Sequence, residues 1–154
     1  MEKHQHFLSE SAEWATEAEF VTPGGAITSA KGSSKITIEG HRISNKSHVV
    51  IGGSERKNNY HIERINDSRL DYRSENPELG TQSGTFHIDR NVIYSKFHIE
   101  NTELNGFEII TRFGDECLAS GAMYQGDSLV NSWRAVMKKK SHSYQKPGTP
   151  LSKS

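Results

Sequence analysis

The chain has 154 residues and 32% hydrophobic residues, and its 19 basic side chains balance its 19 acidic ones. The length suits one domain, since a domain usually holds roughly 100 to 200 residues. A balanced charge gives no field with which to hold a polyanion, so we expect no nucleic acid partner. No stretch approaches the roughly 20 apolar residues of a membrane span, and the start lacks a signal peptide. We therefore expect no membrane span and a cytoplasmic location.

The two ends of the chain differ in composition from its middle. Residues 1–13 are predicted to be a flexible N-terminal segment, in which His4 and His6 are too few to make a metal site. Residues 138–154 carry lysines and prolines but no acid, which predicts a disordered basic tail. The domain is therefore predicted to span residues 14–137.

Between these ends, short segments of alternating polar and apolar residues recur and are bounded by Gly, Asn and Asp. This pattern predicts an all-β protein in which antiparallel strands follow one another as hairpins. The predicted strands span residues 13–20, 25–31, 34–40, 41–51, 58–65, 68–73, 83–89, 92–99, 105–113, 116–124 and 128–139. The predicted turns lie at residues 23–25, 52–53, 66–67, 76–77, 90–91, 105–106, 114–115 and 126–127.

These strands could form a closed meander or a sandwich, and small residues favour closure. Ala119, Gly121 and Ala122 remove side-chain volume where strands must bend, as they do in a barrel. We therefore predict an antiparallel up-and-down β-barrel of about 8–10 strands.

The short turns predict which residues share a face of the sheet. A turn at 114–115 pairs Phe113 with Glu116, and a turn at 126–127 pairs Tyr124 with Leu129. A turn at 90–91 likewise pairs Phe86 with Ser95. The face predicted to point inward holds Phe86, Ile88, Ile93, Ser95, Phe97, Ile99, Phe107, Ile109, Thr111, Phe113, Leu118, Ser120, Ala122, Tyr124, Leu129, Asn131, Trp133, Ala135 and Met137.

This predicted inner face mixes aromatic rings with hydroxyl and amide groups, which a dry core would have to pair one by one. A cavity explains the mixture, because rings supply affinity and a few polar groups orient a ligand. The alternative is that these groups bond to one another or lie near the ends of the barrel. The predicted ligand-binding residues are Phe97, Phe107, Thr111, Ser120, Tyr124, Asn131 and Trp133.

Other reactive residues give weaker patterns. Cys117, the single cysteine, excludes an internal disulfide and would be a nucleophile only if Arg112, its predicted cross-strand partner, lowered the thiol pKa. A small buried thiol is the plainer interpretation. His61 and Glu63 offer a metal two ligands but no third. His87 and His98 are predicted to point to solvent. We expect no metal site and no cofactor, and the sequence does not identify a catalytic residue.

The predicted barrel, with the phrases GTFHIDRNVIYSKF and GFEIITRFGDECLASGAMYQGDSLVNSW, resembles the calycin superfamily and uncharacterised bacterial lipocalin-like domains. In lipocalins an early Gly-x-Trp and a late Arg close the barrel base, and Trp14 and Arg134 stand at comparable places, with Ala12 in place of the glycine. Fatty-acid-binding proteins grip a carboxylate with Arg-x-Tyr. Here Arg134 is followed by Ala135 and Val136, so no such clamp is predicted.

The sequence thus favours a binding protein over an enzyme. The predicted partner is a small, largely apolar molecule held inside the barrel of a monomer or homodimer. One alternative is a cofactor-free isomerase, cyclase or lyase, in which Tyr124 and Asn131 would polarise a carbonyl beside an inward acid or base. The other is a protein-interaction domain with a filled core, whose outer residues Tyr94, Lys96 and Arg112, with the lysine-rich tail, meet a partner.

Overall fold

A computed structural model describes residues 4–141 as one closed antiparallel β-barrel. Its strands are β1 (Ala12–Val21), β2 (Ile27–Glu39), β3 (Arg42–Ile51), β4 (Ser54–Asn66), β5 (Arg69–Asn76), β6 (Gly80–Asp89), β7 (Val92–Ile99), β8 (Leu104–Phe113), β9 (Glu116–Gln125) and β10 (Ser128–Lys139). Each strand pairs with its neighbours in the chain, and β1 pairs with β10 to close the ring. The predicted fold class, an all-β up-and-down barrel, is confirmed with ten strands.

Two predicted boundaries are wrong. The segments 25–31 and 34–40 form one strand, because β2 pairs through Gly32 and Ser33 with both β1 and β3. The turn predicted at 105–106 lies inside β8, where Gly106 pairs with Phe97 and Met123. The connection before β8 instead falls at residues 100–103.

The hairpin registers are confirmed at the turns that were used to predict faces. Phe113 pairs with Glu116, Phe86 with Ser95 and Tyr124 with Leu129. Gly114 and Gly126 take the left-handed conformation, with φ of 62° and 58°, that such tight turns require.

A β-bulge between Leu129 and Asn131 shifts the pairing of β10 against β9 by one residue. Beyond it Trp133 pairs with Gly121 rather than with Ser120. Because side chains alternate along a strand, this shift puts the inward residues of β10 on the same face as Gly121 and Glu108. The inward face predicted for β6, β7 and most of β10 is therefore correct, and the face predicted for β8 and β9 is wrong.

The interior of the barrel has two halves, named here by the ends where they lie. The base is the end with the β2–β3, β4–β5, β6–β7 and β8–β9 turns, and the mouth is the opposite end. The base half is filled by buried apolar side chains: Trp14, Ile36, Ile43, Ile62, Leu70, Phe86, Ile93, Ile110, Cys117 and Met137.

Residues 6–10, which we call the plug, close the base from below. Phe7 and Leu8 are 5% and 2% exposed, and the ring of Phe7 lies 5.5 Å from that of Trp14. Arg112 holds the plug by donating to Glu10 Oε2 at 2.6 Å and to the His6 carbonyl at 3.2 Å. The N-terminal segment predicted to be flexible thus packs on the barrel from His6 onward, because its two apolar residues complete the core.

Trp14 closes the base as the lipocalin resemblance suggested, but the arginine that packs on it is Arg112 and not Arg134. The guanidinium of Arg112 lies 5.1 Å from the ring centroid of Trp14, in cation–π geometry. Arg134 lies on the outer face and is exposed. Arg112 also cannot meet a partner from outside, as one alternative required, since it is 3% exposed.

The ends of the domain also differ slightly from the prediction. β1 begins at Ala12 and β10 includes Lys138 and Lys139, so the barrel extends past the predicted 14–137 at both ends. The Nζ atom of Lys139 lies 3.1 Å from Glu10 Oε2. The remainder of the predicted basic tail, residues 142–154, lies outside the described residues. Within residues 4–141 no helix is long and apolar enough to cross a membrane.

Candidate functional site

The mouth half of the interior is the candidate site. Tyr60 and Glu108 face inward, each near the middle of its strand, yet both side chains are only partly buried. Accessible surface at such inward-facing positions indicates a space inside the barrel. Other inward side chains of this half are also only partly buried: Phe20, Val49, Asn58, Phe97, Asn131 and Trp133.

Aromatic rings on this wall lie flat over glycines of the neighbouring strand. A Cβ placed on Gly106 would come 2.5 Å from Phe97 Cζ, and one on Gly84 would come 2.5 Å from Tyr72 Cε2. A Cβ on Gly121 would come 2.6 Å from Trp133 Cζ2. Because each glycine leaves room beneath a ring, the rings cover the wall rather than fill the centre.

Gly121 also lets two polar groups meet across β9. Glu108 on β8 and Trp133 on β10 both pair with Gly121, one from each side. Trp133 Nε1 donates a hydrogen bond of 2.8 Å to Glu108 Oε2. A side chain at position 121 would stand between them, so the glycine is required by this contact.

The electrostatics of the site follow from its depth. Burial raises the pKa of Glu108 above its usual value, and the hydrogen bond from Trp133 only partly offsets this. Burial also raises the pKa of Tyr60 and Tyr72, and the nearby Glu108 carboxyl raises it further. Gln82 Nε2 donates to the Tyr72 hydroxyl at 2.8 Å. The tyrosines therefore remain neutral at physiological pH.

Several buried polar atoms on inward-facing positions have no hydrogen-bond partner among the described residues. They are Trp14 Nε1 in the base half, the amide oxygens of Asn45, Asn58 and Asn131, and the hydroxyl of Ser74. A buried polar atom without a partner costs about 1–3 kcal/mol, so a filled core rarely contains a group of them. Water or a ligand in the mouth half would supply the missing partners of the asparagines and the serine.

The predicted ligand-binding residues divide between the two faces of the barrel. Phe97, Asn131 and Trp133 face inward, and the Phe97 and Trp133 rings lie 6.3 Å apart. The inward placement of Phe107, Thr111, Ser120 and Tyr124 is wrong, since the bulge in β10 inverts the face of β8 and β9 relative to Trp133. Tyr124 and Asn131, predicted to act together, lie on opposite faces.

The other reactive residues that the sequence singled out do not converge on one site. Cys117 is fully buried, and burial raises its thiol pKa to about 12 although Arg112 acts in the opposite direction. This confirms the buried-thiol interpretation. His61, Glu63, His87 and His98 are exposed on the outer face. No three His, Cys, Asp or Glu side chains converge as a metal site among residues 4–141.

A second concave region lies on the outside of the barrel. This outer groove has a volume of about 1060 Å³ and runs over β8, β9, β10, β1 and β2. Thr111 and Ser120 line it, with the exposed side chains of Phe113, Leu118 and Val136. Its charged residues are Glu17, Glu19, Lys31, Arg134 and Lys138. The groove is open to solvent and has none of the unpaired buried atoms of the mouth half, so we place the site inside.

Sequence reasoning missed Glu108, Tyr60 and Tyr72. The face that the sequence predicts to point inward omits Glu108 and so places it outside with Arg112. The signal that could have found it is the alternation of side chains along β10, in which Trp133, Ala135 and Met137 face inward. One bulged residue near the 126–127 turn puts these side chains on the same face of the sheet as Glu108. Tyr60 and Tyr72 lie before Gly80, in strands for which no register was predicted.

No family model matches the chain, and no curated protein matches it significantly. Solved structures that share the fold include the following two. Rv2717c from M. tuberculosis is 15% identical, with a TM-score of 0.68 over 85% of this chain and 92% of that one. The S-type phycobiliprotein lyase CPES from Guillardia theta is 6% identical, with a TM-score of 0.64 over 85% of this chain and 88% of that one. At these identities the likeness concerns the fold alone.

Proposed function

We propose that this protein is a calycin-like barrel that binds a small, largely apolar molecule in the mouth half of its interior. The observation that carries the proposal is that Tyr60 and Glu108 face inward in the middle of their strands and are still only partly buried. Phe20, Phe97 and Trp133 would form the apolar walls, with ring centroids of Phe20 and Trp133 6.1 Å apart. The unpaired amide oxygens of Asn58 and Asn131 would orient the ligand.

The proposal keeps the cytoplasm as the compartment and a monomer or homodimer as the assembly. The single cysteine, which allows no internal disulfide, supports the compartment. A filled core with an outer protein partner is less well supported, because a filled core would not leave these inward polar atoms unpaired.

The test is a titration with the apolar fluorophore Nile red, followed by quenching of tryptophan emission. We expect saturable binding that quenches Trp133, and loss of most of that quenching in Trp133→Phe, because Trp14 lies in the filled base half. No quenching in the wild-type protein would reject an accessible cavity.

A matched pair of variants separates the interior from the outer groove. Val49 faces inward in the mouth half and does not line the outer groove, whereas Ala15 lines the groove and is exposed. Val49→Phe should block Nile red binding, and Ala15→Phe should leave it unchanged. The reverse result would move the binding site to the groove.

A second candidate function is a cofactor-free isomerase or lyase on the same barrel, and Glu108 is the observation that favours it. An inward carboxyl with a raised pKa can take a proton from one carbon of a ligand and return it to another. One of the two structural neighbours is named a lyase, which is compatible with such chemistry on this architecture. Exchange of a ligand C–H for deuterium in D₂O, present in wild type and absent in Glu108→Gln, would establish catalysis.

A further inference from the structure

The carboxyl of Glu108 indicates which kind of molecule the cavity takes. We propose that the cavity selects apolar ligands that present a nitrogen-borne hydrogen-bond donor, an N–H or a protonated amine, to Glu108, and that it discriminates against carboxylates. This inference rests on the proposed function, since it needs the mouth half to be open to a ligand.

The charges on inward-facing positions are distributed unevenly. Across the ten described strands, Glu108 is the one acidic side chain that faces inward, and no basic side chain faces it in the mouth half. Arg64, Arg112 and Lys139 lie at the base, where Arg64 pairs with Asp67 and the other two bind Glu10. Arg56 lies at the rim of the mouth, where it is 46% exposed and its Nη1 atom is 3.3 Å from Glu78 Oε1.

The Glu108 carboxyl is only partly satisfied. Among the described residues, the bond from Trp133 Nε1 to Oε2 is the one side-chain hydrogen bond that this carboxyl receives. A carboxylate can accept at both oxygens, and burying its charge is costly unless it is paired and hydrogen-bonded. A donor on the ligand would complete these interactions, and a protonated nitrogen would also balance the charge.

Three of the four unpaired atoms around the cavity have the same polarity, and the fourth, the Ser74 hydroxyl, can accept or donate. The atoms of Asn45, Asn58 and Asn131 that are buried without partners are all oxygens, which accept hydrogen bonds. A ligand that donates would satisfy them, whereas a carboxylate would add a further set of acceptors and a charge of the same sign as ionised Glu108. The incompletely paired Glu108 carboxyl and the unpaired amide oxygens are independent observations, and both favour a ligand that donates hydrogen bonds.

The test compares 1-naphthylmethylamine, 1-naphthalenemethanol and 1-naphthoate, which share one ring system, by calorimetry and by displacement of Nile red. In wild type we expect the amine to bind at least about tenfold more tightly than the carboxylate, because a hydrogen bond to a charged group discriminates by about that factor. In Glu108→Gln, which keeps the shape and an acceptor for Trp133, the ratio should fall to about threefold or less.

The control is Glu116→Gln, which removes one charge at the exposed base-end turn and should leave the ratio unchanged. If Glu108→Gln does not fold, Trp133→Phe tests the same point, because it keeps the carboxyl, frees its second oxygen and should preserve the preference for the amine. Equal binding of amine and carboxylate to wild type, or a preference that survives Glu108→Gln, would overturn this inference while Nile red and the alcohol still bind. Failure of every probe to bind wild type would overturn the proposed function itself.

Discussion

The base half and the mouth half of this barrel are built from the same ten strands but treat polar groups in opposite ways. In the base, Arg112 is 3% exposed and each of its donor groups has an acceptor, on Glu10, Gly114 or His6. In the mouth, Asn58 and Asn131 have buried oxygens without partners. The base half is thus organised for stability, and the mouth half keeps polar groups that do not stabilise the free protein.

The contrast has one exception, Trp14 Nε1, which is buried and unpaired in the base. Its ring, however, is fully buried between Phe7 and the Arg112 guanidinium, whose charge faces the π system. The packing of this large ring offsets the cost of its one unpaired N–H.

The largest predicted difference between the halves concerns the two tryptophans. Trp14→Ala should lower the free energy of unfolding by about 3–5 kcal/mol, as expected when a ring is removed from a packed core. Trp133→Ala should cost less than about 2 kcal/mol, because one side of its ring already borders open space. Urea unfolding followed by circular dichroism measures both. Equal losses would mean that the mouth half is as solid as the base.

A smaller effect should follow acidification, and it tests the plug. The pKa of His6 is lowered to about 4, first by burial and then by the Arg112 and Arg64 charges, so protonation favours the unfolded chain. Burial would raise the pKa of Glu10, but hydrogen bonds and charges from Arg112 and Lys139 outweigh it and hold that pKa below its usual value. Protonation of either group therefore lowers the free energy of unfolding as the pH falls.

The two groups act in successive pH windows. The His6 contribution is complete above its unfolded pKa of about 6.5 and lost toward pH 4, and the loss should reach about 2 kcal/mol after allowance for partial exposure. The Glu10 contribution is lost at lower pH, as the carboxyl protonates. In His6→Asn, whose side-chain oxygen can accept from the Leu8 N–H as Nδ1 does, the upper part of the pH slope should flatten. An unchanged slope would show that protonation of His6 does not contribute to acid unfolding.

The smallest predicted effect is a gain in stability. Asn45→Leu replaces a buried amide that has an unpaired oxygen with an apolar group of similar shape, so the free energy of unfolding should stay the same or rise by up to about 1 kcal/mol. Asn59→Leu, on the exposed outer face of β4, is the control and should change stability little. Thermal unfolding of the two variants provides the comparison. A marked loss in Asn45→Leu would show that the amide is satisfied in the free protein.

Much of the fold could be predicted because its determinants are local. Alternation and turn residues indicate strands and hairpins, and the pairs Phe113–Glu116 and Phe86–Ser95 follow directly from turn position. The plug could not be predicted in this way. Phe7 and Leu8 are two apolar residues in a polar segment. Their burial depends on Trp14 and on Arg112, which is more than 100 residues away in sequence and meets the plug only after the barrel has closed.

By itself, the sequence determined the class of fold, the hairpin partners and the inward faces of β6 and β7, because these depend on periodicity and short turns. Tertiary structure alone decided which face of β8 and β9 lies inside. Both faces of β8 carry apolar residues, and the outer one, with Phe107, Ile109 and Phe113, is more apolar than the inner one, with Glu108 and Arg112. Hydrophobicity therefore favours the wrong face. A single bulged residue near Leu129 sets the correct face, and its effect becomes visible only when β10 pairs with β9 and the barrel closes on β1.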